Sequence, residues 1–196
     1  MGKPNRKRTL KLAFSAMLSA LGVVILYLGA VINVLDLTAV ALTSLFVFFA
    51  VIELGPPFPY LIYAVTSLLS LLLLPDKFAA LAYLLFGGIY PIFKEMFERL
   101  HFLIAWILKF SFFNTVLSLL IAGTVYLLHI EDTDLGFKLG VYALANLTFF
   151  LYDIATTQLV TFYLVKLRHR LRVEKFFGGR GEQNRGKNID KPRGKE

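Results

Sequence analysis

Residues 10–32 read LKLAFSAMLSALGVVILYLGAVI, and they follow the basic stretch MGKPNRKRT. Apart from Lys11 the run is uncharged, and it meets the ~20 mostly apolar residues a helix needs to cross a hydrocarbon layer about 30 Å thick. A basic start before an apolar run is also the pattern of a signal peptide. That apolar region, however, extends over only roughly 7–15 residues, and more apolar runs follow here. Residues 10–32 therefore predict a retained first transmembrane helix.

The rest of the chain repeats the pattern. Of 196 residues, 57% are hydrophobic and 17% charged, with a mean hydropathy of +0.67; a soluble domain carries roughly 45–50% apolar residues. The charges gather at the two ends and in short clusters. Further apolar runs cover 37–54, 58–74, 78–93, 102–130 and 137–167, separated by Asn33 and Asp36, by Pro56, Pro57 and Pro59, by Pro75 and Asp76, and by the acidic stretch 131–134. Proline and carboxylates are poor inside lipid-facing helix. The fourth run is short and holds Gly87, Gly88 and Pro91, so a kinked or re-entrant segment is an alternative there. The expected fold class is all-α, an integral membrane bundle of six transmembrane helices.

Orientation follows from lysine and arginine, which concentrate in cytoplasmic loops. Basic residues fill 1–9, recur at Lys94 and Arg99, and dominate from Lys166 onward, whereas the alternate loops hold only Lys77 and Lys138 beside Asp36, Asp76, Glu131, Asp132 and Asp134. Two basic ends on one side require an even number of spans, which places both termini in the cytoplasm of a cell membrane. The segment 168–196 is a basic tail, expected to be largely disordered, and serves either as anchor and topology signal against anionic lipid or as a partner-binding segment. The net charge of +8 thus flanks membrane segments, and nucleic acid is not an expected partner.

Residues with chemical potential are few. There is no cysteine, and His101, His129 and His169 fall in separate regions, so neither a thiolate nor a histidine metal site is expected. Zinc-protease, serine-elbow and Walker motifs are missing; no catalytic residue and no cofactor are expected. In the first helix Ala13, Ala16 and Ala20 form a stripe of small residues, suited either to packing within the bundle or to docking another protein. Lys109, Asn114, Asp153 and Gln158 are polar residues inside predicted spans, where charge is expensive. At about 1.5 Å per residue, Asn114 lies roughly 18 Å from the inner end of its helix and Asp153 roughly 20 Å, so the two can meet at one depth. Lys109 is shallower, level with Gln158, and its stem can snorkel to the interface. The expectation is a polar clamp between the last two helices, with a substrate or proton site as the alternative. Asn146, Asp153 and Thr157 share one helix face. Lys94 and Glu98, four apart, support a short surface helix in the one substantial inner loop.

Ala13, Ala16 and Ala20, with Ala16-Met17-Leu18-Ser19-Ala20 as an AxxxA spacing, on a small chain with six expected spans and both ends inside, resemble the S components of energy-coupling-factor transporters. The resemblance implies that the alanine face docks a transmembrane coupling subunit served by two ATPases. It also implies that a vitamin-like small molecule is captured near the outer helix ends, with Asn33, Asp36, Tyr126, His129, Tyr142 and Asn146 as the candidate substrate-binding residues. The chain is similar in size and span count to MreD-type cell-shape proteins as well, which would make it a non-transport scaffold docking partners through 94–101 and the tail. Few polar groups converge at the outer half, whereas a ligand pocket gathers several.

Overall fold

A computed structural model describes residues 6–32, 35–128 and 135–167, with side chains for 8–32, 35–123 and 140–166. Among the described residues the chain is all helical. Helix α1 covers Arg6–Ile32, α2 Asp36–Phe49, α3 Phe58–Leu73, α4 Lys77–Ala82, α5 Tyr90–Phe97, α6 Phe102–Leu128 and α7 Leu135–Phe162. Three π-helical turns extend them: Ala50–Leu54 after α2, Tyr83–Gly87 after α4, and Tyr163–Leu167 after α7. Asn33, His129, the acidic stretch 131–134 and the tail 168–196 lie outside the described residues, as does the side chain of Tyr126.

Five helical stretches are long and apolar enough to cross a membrane: Arg8–Ile32, Asp36–Leu54, Lys77–Phe97, Phe102–Gly123 and Gly140–Lys166. Helix α3 is apolar but shorter, about 24 Å at 1.5 Å per residue. The fourth run is a broken rod, α4 leading through a π turn and Gly88 into α5. Proline sits in the first turn of α5, where its missing N–H costs nothing. The helical run reaches Phe97 and carries Lys94 inside it, past the limit at residue 93 expected from the sequence.

The rods alternate in direction. Lys11 Nζ donates to the Leu54 carbonyl at 2.8 Å and lies 5.8 Å from the centre of the Phe58 ring. Tyr163 donates to Glu53 at 3.2 Å, and a cavity of about 280 Å³ is shared by Val51, Pro59, Tyr60, Met96 and Arg99. The start of α1, the end of α2, the start of α3 and the ends of α5 and α7 therefore share one end of the bundle. Lys11 there satisfies a carbonyl that helix termination leaves without a partner.

Helices α1 to α4 pack on one another around Leu26, Val47, Ile62, Leu74, Ala80 and Tyr83. Close approach is built from small residues. A side chain on Gly29 would run into the Cβ of Ala39 on α2, and one on Gly22 would meet Thr43 at 2.9 Å. Gly55, at φ 68 and ψ 171, supplies the positive-φ conformation, open to glycine, that ends the turn after α2.

Helices α6 and α7 are held differently. Only 17% of the most apolar stretch of each is buried, against 44% for α1 and 56% for α2. Leu103, Ile107, Leu144, Leu147, Leu151 and Val165 are exposed, an apolar surface larger than a water-soluble monomer shows and suited to hydrocarbon. A second core of Phe48, Tyr90 and Phe149 joins this pair to the rest, with Phe86, Phe110, Phe112, Phe113 and Tyr152 around it. Phe113 and Phe149 stack with ring centres 4.4 Å apart.

Gly29→Leu is expected to destabilise the chain by about 1–3 kcal/mol through overpacking, seen as a lower midpoint of thermal unfolding in detergent. Gly140→Ala, where nothing lies within 4 Å of the added carbon, serves as the control and should hold the midpoint or raise it slightly, since alanine is the better helix former.

Candidate functional site

The polar residues of α5, α6 and α7 converge on the carboxylate of Asp153. On α5, Tyr90, Lys94 and Glu98 follow one another at intervals of four and so lie on one face. Helix α6 contributes Lys109. On α7, Asp153, Thr156 and Thr157 are one turn apart.

Asp153 is 2% exposed, Lys94 3% and Lys109 5%, so these charges are enclosed and must compensate one another. Lys94 and Tyr90 both donate to Asp153 Oδ1. Lys109 reaches Oδ2 at 3.0 Å and Oδ1 at 3.3 Å. Lys94 Nζ also donates to the Asp153 carbonyl at 2.9 Å, to Thr157 Oγ1 at 2.7 Å and to Thr156 Oγ1 at 3.2 Å. Glu98 completes the cluster, its Oε1 lying 3.3 Å from Lys109 and 3.6 Å from Lys94. Lys94 thus finds its acceptors on α7 and at the end of its own helix, and Lys109 finds acceptors on α7 and at the end of α5. Aromatic rings wall the cluster: Trp106 sits 5.5 Å from Lys109 Nζ, and Tyr90 stacks on Phe86 at 5.0 Å.

A second polar contact lies farther along α6 and α7. Asn114 and Asn146 exchange amide hydrogen bonds of 2.9 and 3.0 Å, and Ser118 and Tyr142 share one of 2.9 Å. Phe149, between Asn146 and Asp153 on α7, stacks on Phe113 and separates the two layers.

The four residues of the expected clamp are therefore not one unit. Lys109 meets Asp153, but it is buried in an ion cluster instead of snorkelling. Asn114 does not meet Asp153; Asn146, about two turns nearer the opposite end of α7, is the better match for its amide. Gln158 is exposed and stands outside the cluster. Lys94, expected on a surface helix, is enclosed instead and bound by four oxygens of α7. Its signal was the repeat of Tyr90, Lys94 and Glu98, obscured because the segment was read as loop.

Of the candidate substrate residues, Asp36, Tyr142 and Asn146 have described side chains, and these three do not form one site. Tyr142 and Asn146 are engaged in the α6–α7 contact. Asp36 is buried at the start of α2 with its Oδ1 lacking a hydrogen bond, and no hydrogen bond among the described residues joins it to Tyr142 or Asn146. The alanine stripe has a definite direction. Ala13, Ala16 and Ala20 are all exposed, while Ser15, Leu18, Ser19, Gly22 and Val23 face the bundle. Among the described residues no group of three or more histidine, aspartate or glutamate side chains is placed to hold a metal ion.

No protein-family model matches the chain, and no curated protein or solved structure is significantly similar to it.

Asp153→Asn would leave two enclosed ammonium groups facing only the half-exposed Glu98. Breaking a buried pair in this way costs about 3–5 kcal/mol, so the midpoint of thermal unfolding should fall sharply. Adding Lys94→Met, which removes one of the two stranded charges, should recover part of the loss. Unchanged stability of the single variant would show that Asp153 does not clasp the helices.

Proposed function

We propose that the chain is a six-span, multi-pass subunit of the cell membrane with both termini in the cytoplasm, and that it docks another integral membrane protein through the alanine face of α1. The nearest functional type is the S component of an energy-coupling-factor transporter: a subunit without an ATPase of its own that captures a small, vitamin-like molecule and relies on a coupling subunit and two ATPases.

The observation that carries this reading is the outward direction of Ala13, Ala16 and Ala20. Within the bundle, α1 approaches α2 and α3 through a different strip, Ser15, Ser19, Gly22 and Gly29, so the alanines are not needed for intramolecular packing. In hydrocarbon, a smooth face lets a partner helix approach closely and gain dispersion contacts that lipid cannot match. The orientation rests on charge: the end of the bundle shared by Lys11, Arg99 and the close of α7 is the basic end, which the positive-inside rule puts in the cytoplasm. Among the described members of the substrate set, the buried Asp36, at the opposite end, keeps an oxygen without a hydrogen bond.

The second reading, an MreD-type scaffold that docks partners without transporting, is favoured by the closure of the α6–α7 seam. Tyr142 and Asn146 spend their polar groups on Ser118 and Asn114, which leaves them without convergent donors for a ligand.

Purification in mild detergent separates the two. Under the transporter reading a coupling subunit with two ATPases accompanies the chain, and Ala16→Trp reduces its recovery at least tenfold while the chain itself elutes as before. Recovery of cell-wall or division proteins in its place favours the scaffold. Full recovery of the partner with Trp at position 16 removes the α1 face from either reading.

A further inference from the structure

Asp153 and Glu98 hold the same two ammonium groups, but in different ways. Asp153 is enclosed, and both its oxygens receive donors, from Tyr90, Lys94 and Lys109. It cannot leave without dismantling the contact of α5, α6 and α7. Glu98 reaches in from the last turn of α5 with a single oxygen, at 3.3 Å from Lys109 and 3.6 Å from Lys94, and its side chain is 47% exposed. Its second oxygen makes no hydrogen bond among the described residues. The neighbouring charges do not compete for it, because Glu95 is paired with Arg99 at 2.8 Å.

The charge count gives Glu98 its meaning. Lys94 and Lys109 carry two positive charges and Asp153 removes one. The remaining charge is enclosed by Trp106, Tyr90 and the neighbouring phenylalanines, and it is balanced by a carboxylate that is free to swing away. An enclosed uncompensated charge is unfavourable, so departure of Glu98 leaves a vacancy for one negative charge presenting oxygen acceptors to two ammonium groups. Lys109 lies roughly 10 Å along α6 from its first residue at 1.5 Å per residue, within reach of the headgroup layer.

We propose that Lys94 and Lys109 form an anion-binding site that Glu98 occupies in this structure, and that a singly charged oxyanion, a phosphate or phosphodiester group, takes its place from the exposed side of Glu98. A phosphodiester carries the one negative charge the site requires and offers acceptors to both ammonium groups. The incoming group forms new charge-assisted hydrogen bonds, and Glu98 passes to solvent, releasing the turn between α5 and α6. The site is independent of the alanine face, and it holds whichever partner α1 docks.

The chain has a single tryptophan, Trp106, whose ring lies over Lys109, so its emission reports on the cluster. The full-length chain in detergent is titrated with inorganic phosphate replacing chloride at constant ionic strength. Lys109 is followed in parallel by its protection from acetylation, read by mass spectrometry. Glu98→Gln, a change at an exposed position, should bind phosphate at least tenfold more tightly than the wild-type chain. Lys109→Arg in that background should keep the response, and Lys109→Met should lose it. Protection of Lys109 in phosphatidylglycerol nanodiscs but not by free phosphate in a maltoside detergent, which carries no phosphate, assigns the site to a lipid headgroup, and the reverse assigns it to a soluble anion. If Glu98→Gln gains no affinity over wild type for phosphate and no added protection from phosphatidylglycerol, the proposal is overturned.

Discussion

Two ammonium groups enclosed among aromatic rings cannot stay charged without a carboxylate, and Asp153 is the enclosed one that both of them reach. That requirement organises the second half of the molecule. In water, apolar faces drive helices together, but between helices already in hydrocarbon that force is largely gone, and association depends on packing and polar contacts. Helices α6 and α7 expose most of their apolar surface and would be as well solvated by lipid as by protein. Where they sit is decided by what lipid cannot supply: oxygen for Lys94 and Lys109, an amide for Asn114, and stacking for Phe149.

The first half of the molecule is held by shape. Glycine at positions 22 and 29 lets α1 lie close against α2, and buried hydroxyls at Ser15, Thr43 and Ser70 line the contacts. Most of these hydroxyls satisfy themselves locally: Ser15 donates to the Lys11 carbonyl and Ser70 to the Ser67 carbonyl, at 2.8 and 3.0 Å. A hydroxyl that bonds its own helix neither builds a pocket nor ties two helices together. The many serines and threonines therefore make a thin interface possible without making a ligand site, and the polar chemistry concentrates in the Asp153 cluster.

Small residues on α1 are thus divided between two tasks. One strip closes the gap to α2 and α3, while the alanines look outward, where none of the described residues covers them. An outward face that is smooth instead of bulky is poor at filling lipid space and good at admitting another helix backbone. A rigid inner strip under it keeps that face in position. The ion cluster, in turn, keeps α5, α6 and α7 together at the same basic end of the bundle.

Much of the architecture was legible in the sequence, because apolar run length and proline or acidic breaks are local properties that bilayer thickness translates directly into helices. The acidic and basic residues inside those runs were equally visible, and Asp153 and Lys109 stood out as charges within predicted spans, but depth counting set Lys109 level with Gln158 and Asp153 level with Asn114. Their partners did not stand out. Depth along a helix says how far a residue lies from its end, but not which face it shows to which neighbour, so Asn114 was matched in depth to Asp153 when its geometry favours Asn146. Lys94 escaped because its charge was taken as the sign of a surface segment. Only the tertiary contact with Asp153, Thr156 and Thr157 offers enough oxygen to keep an ammonium group enclosed. The alanine stripe makes the same point. Spacing put Ala13, Ala16 and Ala20 on one face, and only the packing of α1 through Ser15, Ser19, Gly22 and Gly29 decided that this face points away from the bundle.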